Sequence, residues 1–90
     1  RPTMIKYFLY SQQGCEFCDE LKKVLDNNNV TYTIKDVALN RMEWEVVREK
    51  ENIKYTPTLV AVNRNNKELK FLAVDRDFDT PEQLIKLIKI

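Results

Sequence analysis

Two cysteines separated by two residues, in Gly14-Cys15-Glu16-Phe17-Cys18, constrain this chain more than any other feature. They are its only cysteines, and Gly14 is its only glycine. The segment follows Ile5-Lys6-Tyr7-Phe8-Leu9-Tyr10, which reads as a buried strand. It precedes Leu21, Val24 and Leu25, which recur at helical spacing. Two thiols so placed on a strand-to-helix turn have the form of a redox site. The first sits at a helix N-terminus, where free N–H groups and the macrodipole favour a thiolate. The second lies one helical turn further in, within disulfide range.

Two other readings compete. A structural disulfide at this spacing closes a very small loop and gains little from restricting the unfolded chain. A zinc-type site needs more sulfur and nitrogen ligands than one subunit holds, since histidine and a third cysteine are both missing from the sequence. The redox reading stands ahead of both, and no metal ligand set is expected.

Lys and Arg number 15 against 14 acidic residues, and so even a balance gives no reason to expect nucleic acid as a partner. There is no signal-peptide pattern and no apolar run long enough to cross a bilayer. The default compartment is then a reducing cytoplasm, where a paired thiol is more often catalytic than structural. Residues 1–90 are expected to form one monomeric domain, with Met4 offering a native start and Arg1-Pro2-Thr3 standing ahead of it.

The apolar run over 4–10 predicts a central strand covered on both faces. A helix over about 15–26 buries Phe17, Leu21, Val24 and Leu25, and Asn27-Asn28-Asn29 stops it. The β-branched alternation over 30–34 predicts a second strand, parallel to the first through a right-handed crossover. A second helix is expected over 41–51, with Met42 and Val46, joined by Trp44 and Val47, on its apolar side. Asn40 and Glu43 stand at its capping-box positions. Pro57 opens a strand over 59–62, Asn63-Arg64-Asn65-Asn66 turns the chain, and 69–74 returns as the hairpin partner. Thr80, Pro81 and Gln83 carry a helix start signal, and Leu84, Ile85, Leu87 and Ile88 form the buried stripe behind it. The order βαβαββα, with the dithiol turn after the first strand, is the α/β thioredoxin-like arrangement: a four-stranded mixed sheet flanked by three helices.

At these residues the chain resembles the glutaredoxins. Tyr10-Ser11-Gln12-Gln13-Gly14-Cys15-Glu16-Phe17-Cys18 is similar to their Tyr-Ser-Lys-x-Gly-Cys-Pro-Tyr-Cys signature, and Tyr55-Thr56-Pro57 stands where they carry Thr-Val-Pro with a cis proline. Three positions depart from the pattern. Glu16 replaces the proline between the cysteines, and Gln12 replaces a basic residue that helps hold a glutathione carboxylate. Val74-Asp75-Arg76-Asp77-Phe78 occupies the region of a glycine pair. The resemblance implies a dithiol oxidoreductase with no permanently bound cofactor and with glutathione as co-substrate.

Cys15, nearer the exposed turn, is the expected nucleophile, and Cys18 the shielded resolving thiol. Glu16, Asp19 and Glu20 complement the helix dipole and also oppose a Cys15 thiolate. A cis Thr56-Pro57 bond would turn the Thr56 backbone toward Cys15 to receive a docked substrate. Asp79 and Thr80 match the family region that contacts the glutamyl end of glutathione, while the same residues suit plain helix capping. Tyr10, Phe17 and Tyr55 are candidates for an apolar rim around the thiol, with Tyr10 and Phe17 equally suited to packing. Three functions fit this reading. The first is a glutathione-coupled reductase of protein disulfides, ribonucleotide reductase among them. The second is a thioredoxin-like electron carrier recharged by a flavoprotein reductase. The third is a redoxin whose Cys15, from two subunits, holds an iron–sulfur cluster with external thiols.

Overall fold

The computed structural model describes residues 5–88, so the expectations for Arg1-Pro2-Thr3 and Met4 lie outside the described residues. The elements run β1 (Ile5–Ser11), α1 (Glu16–Asn27), β2 (Tyr32–Asp36), α2 (Arg41–Glu51), β3 (Thr58–Asn63), β4 (Leu69–Ala73) and α3 (Pro81–Ile88). The sheet order is β2-β1-β3-β4. β1 pairs in parallel with β2, Leu9 opposite Ile34, and antiparallel with β3, Leu9 opposite Leu59. β3 and β4 form the antiparallel hairpin. The expected βαβαββα architecture with a four-stranded mixed sheet and three helices is what the chain adopts.

Alternation along β1 sends neighbouring residues to opposite faces. Leu9 joins Leu21, Leu25, Leu59, Leu72 and Leu84 under α1 and α3. Tyr10 joins Val37, Trp44, Ile53 and Val60 under α2. Both faces are covered toward the C-terminal end of β1, where Leu9, Tyr10 and Ser11 are buried, which is why the strand reads as an apolar run, broken by Lys6, rather than as an alternating one.

Helix α1 ends where the three asparagines begin to count. Asn29 takes a left-handed φ of 60°, its N–H bonds to the Asp26 carbonyl at 3.1 Å, and the Val30 N–H reaches back to the Leu25 carbonyl at 3.0 Å. This paired closure keeps Val30 attached to the helix. β2 therefore starts two residues later than the β-branched pattern suggested.

Two corrections concern α2, whose bounds match the expectation. Met42 and Val46 face solvent at 85% and 62% exposure, while Trp44 is buried and Val47 half-buried. Both pairs make a helical stripe, and the indole carries the larger apolar area to bury. The capping box is not formed either. Asn40 makes no side-chain cap bond, and Glu43 instead accepts from the Tyr10 hydroxyl and from Lys35 Nζ, the latter at 2.8 Å. In α3, Leu84 and Ile85 are buried, but Leu87, expected in the stripe, is exposed.

Candidate active site

Gly14 adopts φ +79°, a left-handed conformation that side chains rarely take, although a Cβ there would meet nothing within 4 Å. The requirement is one of backbone turn rather than space. The turn closes with the Cys15 N–H on the Gln12 carbonyl at 3.3 Å and delivers Cys15 to the N-cap of α1 in an extended conformation. From there Cys15 Sγ accepts the backbone N–H of Cys18 at 3.1 Å, a helix-capping bond in which sulfur replaces the usual oxygen.

Cys15 and Cys18 are joined as a disulfide with Cα atoms 5.2 Å apart. Their surroundings differ. Cys18 is fully buried on the inner side of α1, whereas Cys15 is partly exposed. The Thr56 hydroxyl points to Cys15 Sγ at 3.9 Å, bringing the loop before β3 to the thiol side. The Thr56–Pro57 peptide is cis, Pro57 is buried, and its carbonyl accepts the Val74 N–H at 3.3 Å. Cys15, Cys18, Thr56 and Pro57 thus lie together at the C-terminal end of β1. No helix among the described residues is long and apolar enough to cross a membrane.

Phe17, Asp79 and Thr80 share a groove of about 410 Å³ between α1 and the start of α3, with Val24 and Pro81 in its walls. The Phe17 ring leans on Phe78 at a centroid distance of 6.3 Å. At the start of α3 the Thr80 hydroxyl accepts the Gln83 N–H at 3.2 Å, while Gln83 Oε1 accepts the Asp79 N–H at 2.7 Å. Gln83 was legible as a capping residue, but its use of the Asp79 N–H was not.

The region lacking a glycine pair is held differently. Asp75 takes a φ of 68°. Arg76 donates to Asp77 Oδ2 at 2.8 Å, to the Phe71 carbonyl at 2.7 Å and to the Glu51 carbonyl. One arginine therefore ties the β4–α3 loop to the end of α2. Beside it a smaller depression of about 170 Å³ is lined by Lys54, Tyr55 and Asp75 among others. Gln12 is exposed at the turn, contributing its carbonyl to the Cys15 N–H.

Tyr10 lies elsewhere. Only 4% exposed, it packs beneath α2 with its ring 5.0 Å from that of Trp44. Burial and then the bond to Glu43 push its ionisation well above the usual tyrosine range. The Lys35 and Tyr10 hydrogen bonds hold the Glu43 carboxyl below its ordinary value. This network serves the α2 face of the sheet, not the docking rim for which Tyr10 was a candidate.

A family model described as glutaredoxin matches residues 7–67. No curated protein matches the chain. Among solved structures, a point mutant of the thioredoxin-like protein BC3987 is similar with a TM-score of 0.67 and 25% identity, over 92% of this chain and 99% of that one. The Plasmodium falciparum thioredoxin is similar with a TM-score of 0.67 and 18% identity, over 99% of this chain and 72% of that one. A point mutant of the Halobacterium salinarum thioredoxin has a TM-score of 0.63 and 16% identity, over 97% and 74% of the two chains.

Proposed function

The chain belongs to the glutaredoxin family, and on that premise we propose that it reduces protein or mixed disulfides through Cys15 and Cys18, with glutathione as the returning reductant. The observation that supports this is the asymmetry of the pair: Cys15 Sγ is partly exposed and receives a backbone N–H, while Cys18 is fully buried. A donor at the helix N-terminus stabilises negative charge on Cys15, the sulfur a partner can reach.

In the reaction the Cys15 thiolate attacks one sulfur of a substrate disulfide. The new bond joins Cys15 to that sulfur, and the other leaves as a thiolate that takes a proton from water. Cys18 then gives up its proton and attacks Cys15 Sγ, forming the Cys15–Cys18 disulfide and releasing the substrate as a dithiol. Two electrons pass to the substrate. Two glutathione molecules restore the dithiol and leave as glutathione disulfide. The Thr56 backbone and the buried Pro57 form the shelf on which a peptide lies, and ribonucleotide reductase is one enzyme with a disulfide of the required kind.

Cys15→Ser is expected to abolish reduction of an insulin or mixed-disulfide substrate with the circular dichroism spectrum unchanged. Cys18→Ser should accumulate covalent protein mixed disulfides, visible on non-reducing gels. Faster alkylation of Cys18 than of Cys15 in the reduced protein would overturn the assignment.

A second reading, a thioredoxin-like carrier recharged by a flavoprotein reductase, is favoured by Gln12 in place of a basic residue and by the Asp79 N–H being already bonded to Gln83. NADPH oxidation coupled through glutathione and glutathione reductase supports the first reading. Coupling only through thioredoxin reductase selects the second.

A further inference from the structure

We infer that the α1–α3 groove selects polypeptide substrates carrying a lysine or arginine beside the disulfide. This rests on the disulfide-reductase reading above and adds a substrate class to it. A disulfide can react only when it lies within bonding distance of Cys15, so the residues flanking it must rest on the surface around the redox turn. On the α1–α3 side that surface is the groove that begins at Phe17, two residues beyond Cys15.

The groove has an apolar floor and an acidic rim. Phe17, Val24 and Pro81 supply the floor. The contact with Phe78 holds the Phe17 ring in place. Around it stand the carboxylates of Glu20, Asp79 and Glu82, with Lys23 as the one cation in the lining. None of these four charged groups takes part in a salt bridge among the described residues. Two facing helices therefore present three carboxylates against one ammonium across a concave, partly apolar surface, where the field is focused.

A lysine or arginine side chain suits this surface by its construction. Its methylene stem can lie on the Phe17 and Pro81 surface while its charged head sits among the carboxylates. Glutathione, with two carboxylates and a single ammonium group, gains less from this surface than a cationic side chain does. The Asp79 and Gln83 N–H groups at the start of α3, which could hold a carboxylate, are already bonded to Gln83 Oε1 and Thr80 Oγ1. Glu16, exposed beside the reactive sulfur, adds charge of the same sign. Shape and charge together describe a cationic polypeptide.

The test uses reduced protein and two peptide disulfides identical except for lysine or glutamate two residues from one cysteine. Single-turnover rate constants are read by chromatography of the products, with the uncharged hydroxyethyl disulfide as a third substrate. The lysine peptide is expected to react about tenfold faster at low salt, and the ratio should shrink as salt screens the groove. In the double variant Glu20→Lys, Glu82→Lys the ratio should invert. Reaction with hydroxyethyl disulfide but equal rates for the two peptides overturns the groove inference alone. Failure to react with hydroxyethyl disulfide overturns the oxidoreductase reading itself. The wild-type comparison decides the matter even if the double variant does not fold.

Discussion

Glu16 stands between the two cysteines where relatives carry proline, and it is exposed in the first turn of α1. A carboxylate helps a helix N-terminus by about 0.3–1 kcal/mol but disfavours a thiolate next to it. Glu16→Gln should raise the fraction of Cys15 ionised at neutral pH, so that iodoacetamide alkylates it faster. The dithiol should also become a weaker reductant when equilibrated with a glutathione buffer, where 30 mV corresponds to about 1.4 kcal/mol. Unchanged alkylation would mean that the carboxylate serves the helix alone. Gly14 poses a simpler question. Gly14→Ala forces a side chain into φ +79° with no clash to absorb, so the loss should be about 1–2 kcal/mol of stability, measured by urea unfolding. Tyr10 and Glu43 set a pH window instead. Glu43 has a lowered folded pKa, so its contribution is present above the unfolded carboxylate value and lost as acid protonates it. Tyr10 has a raised one, so its contribution is present below about pH 10 and lost in stronger base. Glu43→Gln should lower stability at neutral pH by under about 1 kcal/mol, since the Glu43 side chain is 41% exposed and its ion pair is screened, and should flatten the acid limb of a pH–stability curve.

At the scale of elements, α2 shows where a sequence stops being decisive. Its bounds follow from its flanks, and Arg41–Glu51 is as read. Its inward face does not follow, because Met42 with Val46 and Trp44 with Val47 both repeat at helical spacing. The choice depends on Tyr10, thirty-odd positions earlier, whose ring packs at a tilt against Trp44. Trp44→Ala should therefore destabilise the fold by about 3–5 kcal/mol in denaturant unfolding, whereas Met42→Lys should stay within about 0.5 kcal/mol. The redox turn was more legible, because cysteines one helical turn apart at the end of an apolar strand are a local requirement. The α3 end of the site was less so. Thr80 caps the helix as read, but the Gln83 side chain holding the Asp79 N–H depends on a rotamer that spacing does not fix.

Over the whole molecule, element order and sheet topology were readable because each strand and helix carries its own pattern, while the closing contacts were not. Arg76 is an example. In sequence it is one more charge between Asp75 and Asp77, yet it joins β4, α2 and the α3 approach through Phe71, Glu51 and Asp77. Only the fold brings those acceptors to one side chain.

The burial of Cys18 has a consequence for time. In the proposed cycle, capture of a substrate is bimolecular and depends on how much of it is present. Release by Cys18 is unimolecular, because the second sulfur is carried on the same helix and needs no encounter. The lifetime of a substrate awaiting release by Cys18 is then set within the protein and is the same in a dilute solution as in a crowded one. A partner held through Cys15 is on a clock that only the partner's own fit can slow.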